Sequence, residues 1–203
     1  MIIIGIFGGT GSGKTTIVNQ ILSKFASGEM HVISQDAYYK DNSEISYEER
    51  CLLNYDLPNS IDFELLYTHL KDLKKGFSIS QPVYDFKIHN RIKKKTVKIS
   101  PKKVIILEGI LIMNYPKLRS LIDLKVYIDA NSDVRMERRV NRDISERGRT
   151  RKEVINRYIT MLIPMHKKFI SPMKLHADMV VENHKNTPPD IESLLQKIKS
   201  MLI

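Results

Sequence analysis

The chain has only one cysteine, Cys51, among its 203 residues. A single cysteine excludes a disulfide within the chain and any metal site built from several cysteines, and it suits a reducing compartment. No apolar stretch approaches the roughly 20 residues that a membrane-spanning helix needs. The opening MIII has no basic segment before it and runs into glycines, so we expect no secretory signal and a cytoplasmic protein.

Acidic residues are also in deficit, because 33 Lys and Arg stand against 23 Asp and Glu and give a net charge of +10. Such an excess of positive charge attracts nucleotides, nucleic acid or acidic lipid, and charge alone does not indicate which of these anions binds. No internal repeat or low-complexity tract stands out. We therefore expect one folded domain over residues 1–203 and no disordered basic tail.

Strand-like and helix-like segments alternate along the chain. MIIIGIF, MHVIS, VIIL, DLKVYID and ADMVV have the composition of strands, and segments with a helical apolar period lie between them. This order predicts an α/β fold with a doubly wound, mainly parallel sheet and helices on both faces. Between about residues 78 and 100, two extended segments joined at KIHN predict an inserted β-hairpin.

A glycine-rich motif follows the first predicted strand and precedes a predicted helix. It fits G-x-x-x-x-G-K-[ST], the phosphate loop of P-loop NTPases, whereas no G-x-G-x-x-G of a dinucleotide-binding loop can be read here. In such a loop backbone N–H groups surround the phosphates, the lysine reaches the β and γ phosphates, and the hydroxyl can bind Mg²⁺. The predicted triphosphate-binding residues are Gly8, Gly9, Thr10, Gly11, Ser12, Gly13, Lys14 and Thr15.

Two carboxylates follow predicted strands, where a doubly wound fold brings strand ends beside the phosphate loop. Asp36 could accept the proton of an attacking hydroxyl, or it could simply cap a turn. Glu108 suits a Mg²⁺ ligand beside Thr15, with an ordinary strand-end acid as the alternative.

Arginines are concentrated between about residues 135 and 151, which we interpret as a lid. Four of them share one helix face, and three more surround Gly148: Arg135, Arg138, Arg139, Arg142, Arg147, Arg149 and Arg151. Guanidinium groups suit triphosphate oxygens and the transition state of phosphoryl transfer. The alternatives are a nucleic-acid stripe or a solvated face interleaved with acids, and Arg135 and Arg138 are the two that we expect to be solvated.

The remaining motifs narrow the class of nucleotide-binding protein. No aspartate is followed by glycine three positions later and no N-K-x-D is present, which argues against a switch GTPase, while motor families usually need a longer chain. A kinase for a small molecule is favoured. A basic nucleic-acid-binding NTPase is the non-enzyme alternative, although no zinc-finger, RNA-recognition or helix-turn-helix signature is seen.

The assembled motifs closely resemble the uridine kinase, or uridine–cytidine kinase, family of P-loop kinases. The resemblance runs nearly end to end and rests on GGTGSGKTT, ISQDAYYK, NYDLPNSIDFELL, PVYDFKIHNR, VIILEGILI, RRVNRDISERGR and ADMVV. It implies transfer of the γ-phosphate of ATP or GTP to the 5′-hydroxyl of uridine or cytidine, with Mg²⁺, in pyrimidine salvage. It also implies a tetramer as a possible assembly. The alternative within enzymes is a P-loop kinase for another small alcohol, either a different nucleoside or an acceptor such as those of phosphoribulokinase or pantothenate kinase.

The resemblance also implies roles for individual residues. Lys14 would act on the transferred phosphoryl group and Asp36 would be the base, with Tyr39 nearby. Asp62 would grip the ribose, although by itself it looks like a helix N-cap. The residues implied to surround the pyrimidine and the nucleoside are Tyr84, Phe86, His89, Arg139, Arg149 and Tyr158, and those implied to face the phosphates are Arg142 and Arg147.

Two departures from the family pattern concern the same site. Arg157 stands where the family often has glutamine, which would alter contacts to the nucleoside. After ADMVV the chain reads ENHKNTPP over residues 182–189, where the family typically has a short basic loop with glycine near the donor base.

Overall fold

The computed structural model describes residues 1–186 and 188–202, and the side chain of Arg147 is outside this description. The strands are β1 Ile2–Phe7, β2 Met30–Ser34, β3 Ile79–Asp85, β4 Asn90–Ile99, β5 Val104–Gly109, β6 Leu124–Asp129 and β7 Met179–Glu182. The helices are α1 Lys14–Leu22, α2 Tyr47–Leu52, α3 Phe63–Lys74, α4 Pro116–Leu121, α5 Ser132–Arg147, α6 Arg151–Arg157, α7 Ile163–Met165 and α8 Ile191–Ser200.

A parallel sheet forms the centre of the fold, in the order β2-β5-β1-β6-β7. From β1 the chain crosses to β2 on one side of the sheet, and the later strands β6 and β7 lie on the other side. The strand order therefore changes direction next to β1, and ligands in such sheets bind outside the carboxyl ends of the strands at this switch point. The predicted α/β fold with a doubly wound, mainly parallel sheet is confirmed.

Helices cover both faces of the sheet, which explains the continuous apolar runs of its strands. Alternate residues of β1 point to opposite faces, so Ile3 and Phe7 enter one core cluster and Ile4 and Ile6 enter the other. The first cluster is completed by α3 and α4 through Leu66, Leu70 and Leu118, and the second by α1 and α8 through Ile17, Val18, Leu194 and Leu195. The β1 strand is thereby held firmly, and with it the start of the phosphate loop.

The predicted hairpin is present as β3 and β4, which pair antiparallel in a sheet of their own. The helix predicted after Gly148 is less regular than its apolar period indicates. It leaves the α geometry after α6 and continues through π turns at Tyr158–Leu162 and His166–Ile170. Pro164 lies between these turns and has no N–H for the helical ladder, which explains the widened turns.

The described part of the chain contains no helix with both the length and the apolar character needed to cross a membrane.

Candidate active site

The phosphate loop joins β1 to α1 and requires glycine at several positions. Gly8, Gly11 and Gly13 have φ angles of 146°, 74° and 94°, values that favour glycine. A Cβ atom at Gly11 would also lie 2.3 Å from the carbonyl oxygen of Arg135. The glycines of the motif are thus required by backbone conformation and by the close approach of α5.

Lys14 begins α1 and is only 8% exposed. Its Nζ donates hydrogen bonds to the carbonyl oxygens of Gly8 and Gly9, both at 3.1 Å. Burial lowers the pKa of Lys14 to about 8, while the negative charges of Glu108 and Asp36 oppose this shift. The ammonium is therefore held at the loop in an environment where added negative charge would favour its protonated form.

Thr15 and Glu108 lie together at the carboxyl end of the sheet. The Thr15 hydroxyl donates to Glu108 Oε2 over 3.2 Å, and β5 places Glu108 beside β1. Within the described ranges, no group of three or more His, Cys, Asp and Glu side chains is arranged to hold a metal ion. A hydroxyl and one carboxylate next to a phosphate loop are the donor set expected for Mg²⁺, which usually keeps waters and binds substrate phosphates.

A cavity opens from this end of the phosphate loop toward the hairpin. Its loop side is lined by Lys14, Thr15 and Glu108, and Asp36 lines the same space from the single 3₁₀ turn after β2. The Ser34 hydroxyl accepts a hydrogen bond from the backbone N–H of Asp36 at 3.3 Å and fixes this turn. Asp36 is therefore placed in the same cavity as the phosphate-binding lysine, as the sequence predicts.

Aromatic side chains line the far side of the cavity. Tyr84 and Phe86 from β3 and its turn, His89 from the hairpin turn, and Tyr39 and Tyr55 all contribute. The Tyr84 ring centroid lies 5.0 Å from that of Tyr39 and 5.3 Å from that of Phe86, while His89 stacks on Tyr55 at 5.5 Å and 17°. Such a wall suits the face of a planar ring. The structure brings Tyr39, Tyr84, Phe86 and His89 together as the family resemblance implies.

A second cavity lies on the outer side of the phosphate loop. It is lined by Gly13, Thr16 and Arg138, and it shares with the first cavity a set of walls made by Gly11, Lys14, Thr15, Arg139 and Arg142. One binding space therefore lies along the phosphate loop and another lies toward the aromatic wall. They meet at Lys14 and the arginines of α5.

Asp143 lies between two of the α5 arginines and holds both. It is 1% exposed and accepts from Arg139 Nε at 2.7 Å and from Arg142 Nη2 at 3.0 Å. Arg139 also donates to the hydroxyl of Thr10 over 2.6 Å. Arg142 faces both cavities, and Arg149 faces the aromatic one. Arg147 was predicted to act on the phosphates, and its side chain is outside the described residues.

The expectation that Arg135 and Arg138 are solvated is wrong. Arg135 is 6% exposed beneath the loop, donates to the carbonyl oxygen of Ala130 at 3.1 Å and lies 3.4 Å from His166 Nδ1. Burial, reinforced by Arg135, lowers the pKa of His166 to about 4, so this histidine is neutral at pH 7. Arg138 donates to the carbonyl oxygens of Ser12 and Asn183. Arg135 is buried and Arg138 is half-buried because this side of α5 packs against the phosphate loop.

Two residues implied for the nucleoside lie elsewhere. Asp62 is outside the cavity lining: its oxygens accept from the backbone N–H of Leu65 and from Arg91, so it caps α3 and pairs with the hairpin. Tyr158 is also outside the lining, because its ring is buried in the core and its hydroxyl donates to the carbonyl oxygen of Ser132 at 2.9 Å. Each of the two side chains has a structural partner that is distant in the sequence, Arg91 for Asp62 and Ser132 for Tyr158.

Asp56 and Arg157, in contrast, line the cavity. Asp56 is only 7% exposed. It lies in the same NYDLPNSIDFELL segment as Asp62, so the motif indicated the segment but not which of its aspartates lines the cavity. Arg157 donates to the carbonyl oxygen of Leu53 at 3.4 Å, and burial lowers its pKa. Arg157, where the chain departs from the family pattern, therefore lines the cavity.

The sequence and the fold are similar to those of several known proteins. The chain is 48% identical over 201 aligned residues to the uridine kinase of Clostridium botulinum. The alignment covers 99% of this chain and 97% of the relative. It is also 48% identical to that of Clostridium perfringens, covering 99% and 96% of the two chains. Among solved structures, phosphoribulokinase from Rhodobacter spheroides has a TM-score of 0.65 at 16% identity, over 90% of this chain and 70% of that one, and shares the fold. The family model for the phosphoribulokinase / uridine kinase family matches residues 3–188, and the chain belongs to this family.

Proposed function

We propose that the protein is a uridine kinase that moves the γ-phosphate of a nucleoside triphosphate to the 5′-hydroxyl of uridine or cytidine. The observation that carries this proposal is the meeting of two cavities at Lys14, Thr15, Arg139 and Arg142. One cavity follows the phosphate loop, and the other ends at an aromatic wall that suits the flat ring of a nucleobase. The relatives named uridine kinase, identical at nearly half of all positions over the full chain, support the same acceptor.

The donor, ATP or GTP, binds with its phosphates along the loop. Backbone N–H groups at the start of α1 and the Lys14 ammonium face the β and γ phosphates. The oxygens of Thr15 and Glu108, joined by a 3.2 Å hydrogen bond, would hold Mg²⁺ there directly or through water. Bound Mg²⁺ would neutralise phosphate charge and orient the γ-phosphoryl group.

The acceptor hydroxyl lies between the γ-phosphate and Asp36. Asp36 orients the 5′-hydroxyl and takes its proton as the oxygen attacks phosphorus and the bond to the β-phosphate oxygen breaks. Arg142 and Lys14 line the space between the two substrates and stabilise charge on the transferred group. Arg147 is assigned to the same task from the family pattern. Positioning and electrostatics supply most of the catalysis in such a reaction.

The nucleoside is recognised by its ring and by its ribose. Tyr84 and Phe86 contact the faces of the pyrimidine, and His89 faces its polar edge, with Arg149 and Arg157 on the same wall. The buried carboxylate of Asp56 replaces Asp62 as the acceptor for the ribose hydroxyls. A desolvated carboxylate rejects a sugar that lacks its hydroxyl, because the charge would then lose its hydrogen bond.

The reaction returns free nucleosides to nucleotides, so we assign the protein to pyrimidine salvage in the cytoplasm. A tetramer is the assembly that the family resemblance implies, and light scattering of the purified chain would test it.

A panel of acceptors tests the function. The protein is incubated with Mg²⁺ and ATP or GTP and, in turn, with uridine, cytidine, the purine nucleosides, deoxyuridine, ribulose 5-phosphate and pantothenate, and products are identified by mass. We expect UMP and CMP as the main products. Faster phosphorylation of a sugar phosphate or of pantothenate would contradict the proposal, as would triphosphate hydrolysis that responds to oligonucleotide and to no nucleoside.

A further inference from the structure

Arg91 connects three parts of the molecule that flank the acceptor cavity without lining the cavity itself. It belongs to β4, directly opposite Tyr84 in the hairpin register. Its Nε donates to the carbonyl oxygen of Tyr39 at 2.7 Å, and its Nη2 donates to the carbonyl oxygen of Tyr38 at 3.3 Å and to Asp62 Oδ2 at 3.1 Å. The side chain is 16% exposed, so these contacts are partly shielded from water.

The carbonyl groups that Arg91 binds belong to the end of the turn that carries Asp36. This 3₁₀ turn spans Gln35–Tyr38, and Tyr39 follows it. A single 3₁₀ turn contains little internal hydrogen bonding, so its position depends on outside partners. The Gln35 amide oxygen accepts from the backbone N–H of Leu111 at 2.7 Å and holds the start of the turn, while Arg91 binds its end. A guanidinium bound to two successive carbonyl groups fixes the direction in which the chain leaves the turn.

Asp62 supplies the counter-charge and a third attachment. Its Oδ1 accepts from the backbone N–H of Leu65 at 3.2 Å, and its own N–H donates to the carbonyl oxygen of Tyr38 at 2.8 Å. A short antiparallel bridge between Tyr39 and Ile61 runs beside it. The N-terminus of α3, the turn of Asp36 and the hairpin are thereby tied at one point.

We propose that Arg91, held by Asp62, is a positioning residue that sets the distance between Asp36 and the nucleoside-binding hairpin. This inference rests on the proposed function. The hairpin carries Tyr84 and its neighbours on the aromatic wall, and the turn carries the base, so the two halves of the acceptor site are aligned through the Arg91 side chain. Small displacements of reacting groups have large effects on rate, about a hundredfold for 1 Å.

The guanidinium is suited to this task because its donors are fixed in a planar fork. Lysine at the same position would keep the charge but could not serve two carbonyl groups and a carboxylate in one plane. Arg91→Lys therefore removes the alignment while preserving most of the electrostatics, and Asp62→Asn removes the counter-charge while keeping a good N-cap for α3.

The test compares steady-state kinetics of the wild type, Arg91→Lys and Asp62→Asn with uridine and Mg²⁺-ATP. We expect Arg91→Lys to lower kcat for uridine by about tenfold or more. The KM for ATP and triphosphate hydrolysis without acceptor should stay within about twofold of the wild type. Asp62→Asn should act in the same direction with a smaller effect. A merely structural role would lower both activities in proportion to the folded fraction, which circular dichroism and thermal unfolding measure.

Lys74→Gln is the matched control, because it removes the 3.0 Å ion pair of Lys74 with Asp123 at the other end of α3. We expect it to leave kcat unchanged. Normal uridine turnover by folded Arg91→Lys would overturn the inference, and if that variant does not fold, normal turnover by Asp62→Asn would do so. Absence of transfer to any nucleoside by the wild type would instead overturn the proposed function, and this inference with it.

Discussion

The hydroxyl of Thr15 donates a hydrogen bond to Oε2 of Glu108 over 3.2 Å, which joins the first turn of α1 to the end of β5. These two residues are 93 positions apart in the chain and meet because β1 and β5 are adjacent parallel strands. The contact places the two oxygen donors proposed for Mg²⁺ beside the phosphate loop.

Glu108→Gln should raise the Mg²⁺ requirement of the reaction, because an amide is a weaker ligand and a weaker acceptor than a carboxylate. We expect about a tenfold higher Mg²⁺ concentration at half-maximal rate. A magnesium titration of uridine phosphorylation measures this, with Glu192→Gln in the exposed first turn of α8 as the control. An unchanged titration would remove Glu108 from the metal site.

Triphosphate binding should weaken as pH rises above about 8. Burial lowers the pKa of Lys14 from 10.5 to about 8 in the free protein, and bound phosphate charge favours the ammonium again. Binding near and above pH 8 is therefore coupled to proton uptake. Calorimetry in two buffers of different ionisation enthalpy measures the protons taken up, and Lys14→Arg, which stays charged, should take up none. Affinity that is flat to pH 9.5 would contradict the account.

The same shift has a consequence for folding stability. Because the unfolded chain holds the Lys14 proton up to 10.5 and the folded chain only to about 8, the cost of burying the charge is full below about pH 8. That cost declines as pH rises toward 10.5. The lysine therefore contributes a stability that increases with pH over this window, which denaturant unfolding of the wild type against Lys14→Met would detect.

Gly11→Ala should abolish triphosphate binding, since the new Cβ would lie 2.3 Å from the Arg135 carbonyl oxygen. Gly76 is the matched control: its φ of 90° is also positive, but a Cβ atom there meets nothing within 4 Å. Gly76→Ala should cost only backbone strain, about 1 kcal/mol, and keep normal affinity. Titration with a fluorescent triphosphate analogue compares the two. Normal binding by Gly11→Ala would show that α5 does not confine the loop.

Asp56→Asn should reduce the preference for uridine over deoxyuridine by about tenfold or more, because an amide no longer leaves a buried charge unpaired. Asp62→Asn lies outside the cavity and should lower turnover of both nucleosides while keeping their ratio. The ratio of kcat/KM values for the two substrates is the measurement. If Asp62→Asn changes the ratio and Asp56→Asn does not, the original assignment of Asp62 to the ribose is restored.

The order of elements and the phosphate loop follow from local patterns, and for that reason sequence was sufficient to predict them. A strand, a glycine loop and a helix each have a signature within a few residues. The hairpin aromatics followed from the family resemblance. The structure of each of these segments is determined by its own residues and their neighbours in the chain.

The direction in which charged side chains face could not be predicted in this way. Helical spacing places Arg135, Arg139 and Arg142 on one face of α5, but only the packing of that face on the phosphate loop buries Arg135 and Asp143. Asp62 likewise has the pattern of an N-cap and of a ligand, and the sequence does not show its ion pair with Arg91, 29 residues away. Long-range partners of this kind leave no local signal.

Turnover by Asp36→Asn is the measurement that tests the central claim most directly. Asparagine keeps the size and the turn of Asp36 but cannot accept the proton of the 5′-hydroxyl. We predict loss of uridine phosphorylation by about a hundredfold or more, with triphosphate affinity and thermal stability close to those of the wild type. Near-normal formation of UMP by this variant would contradict the assignment of Asp36 as the base and, with it, the proposed arrangement of the two substrates.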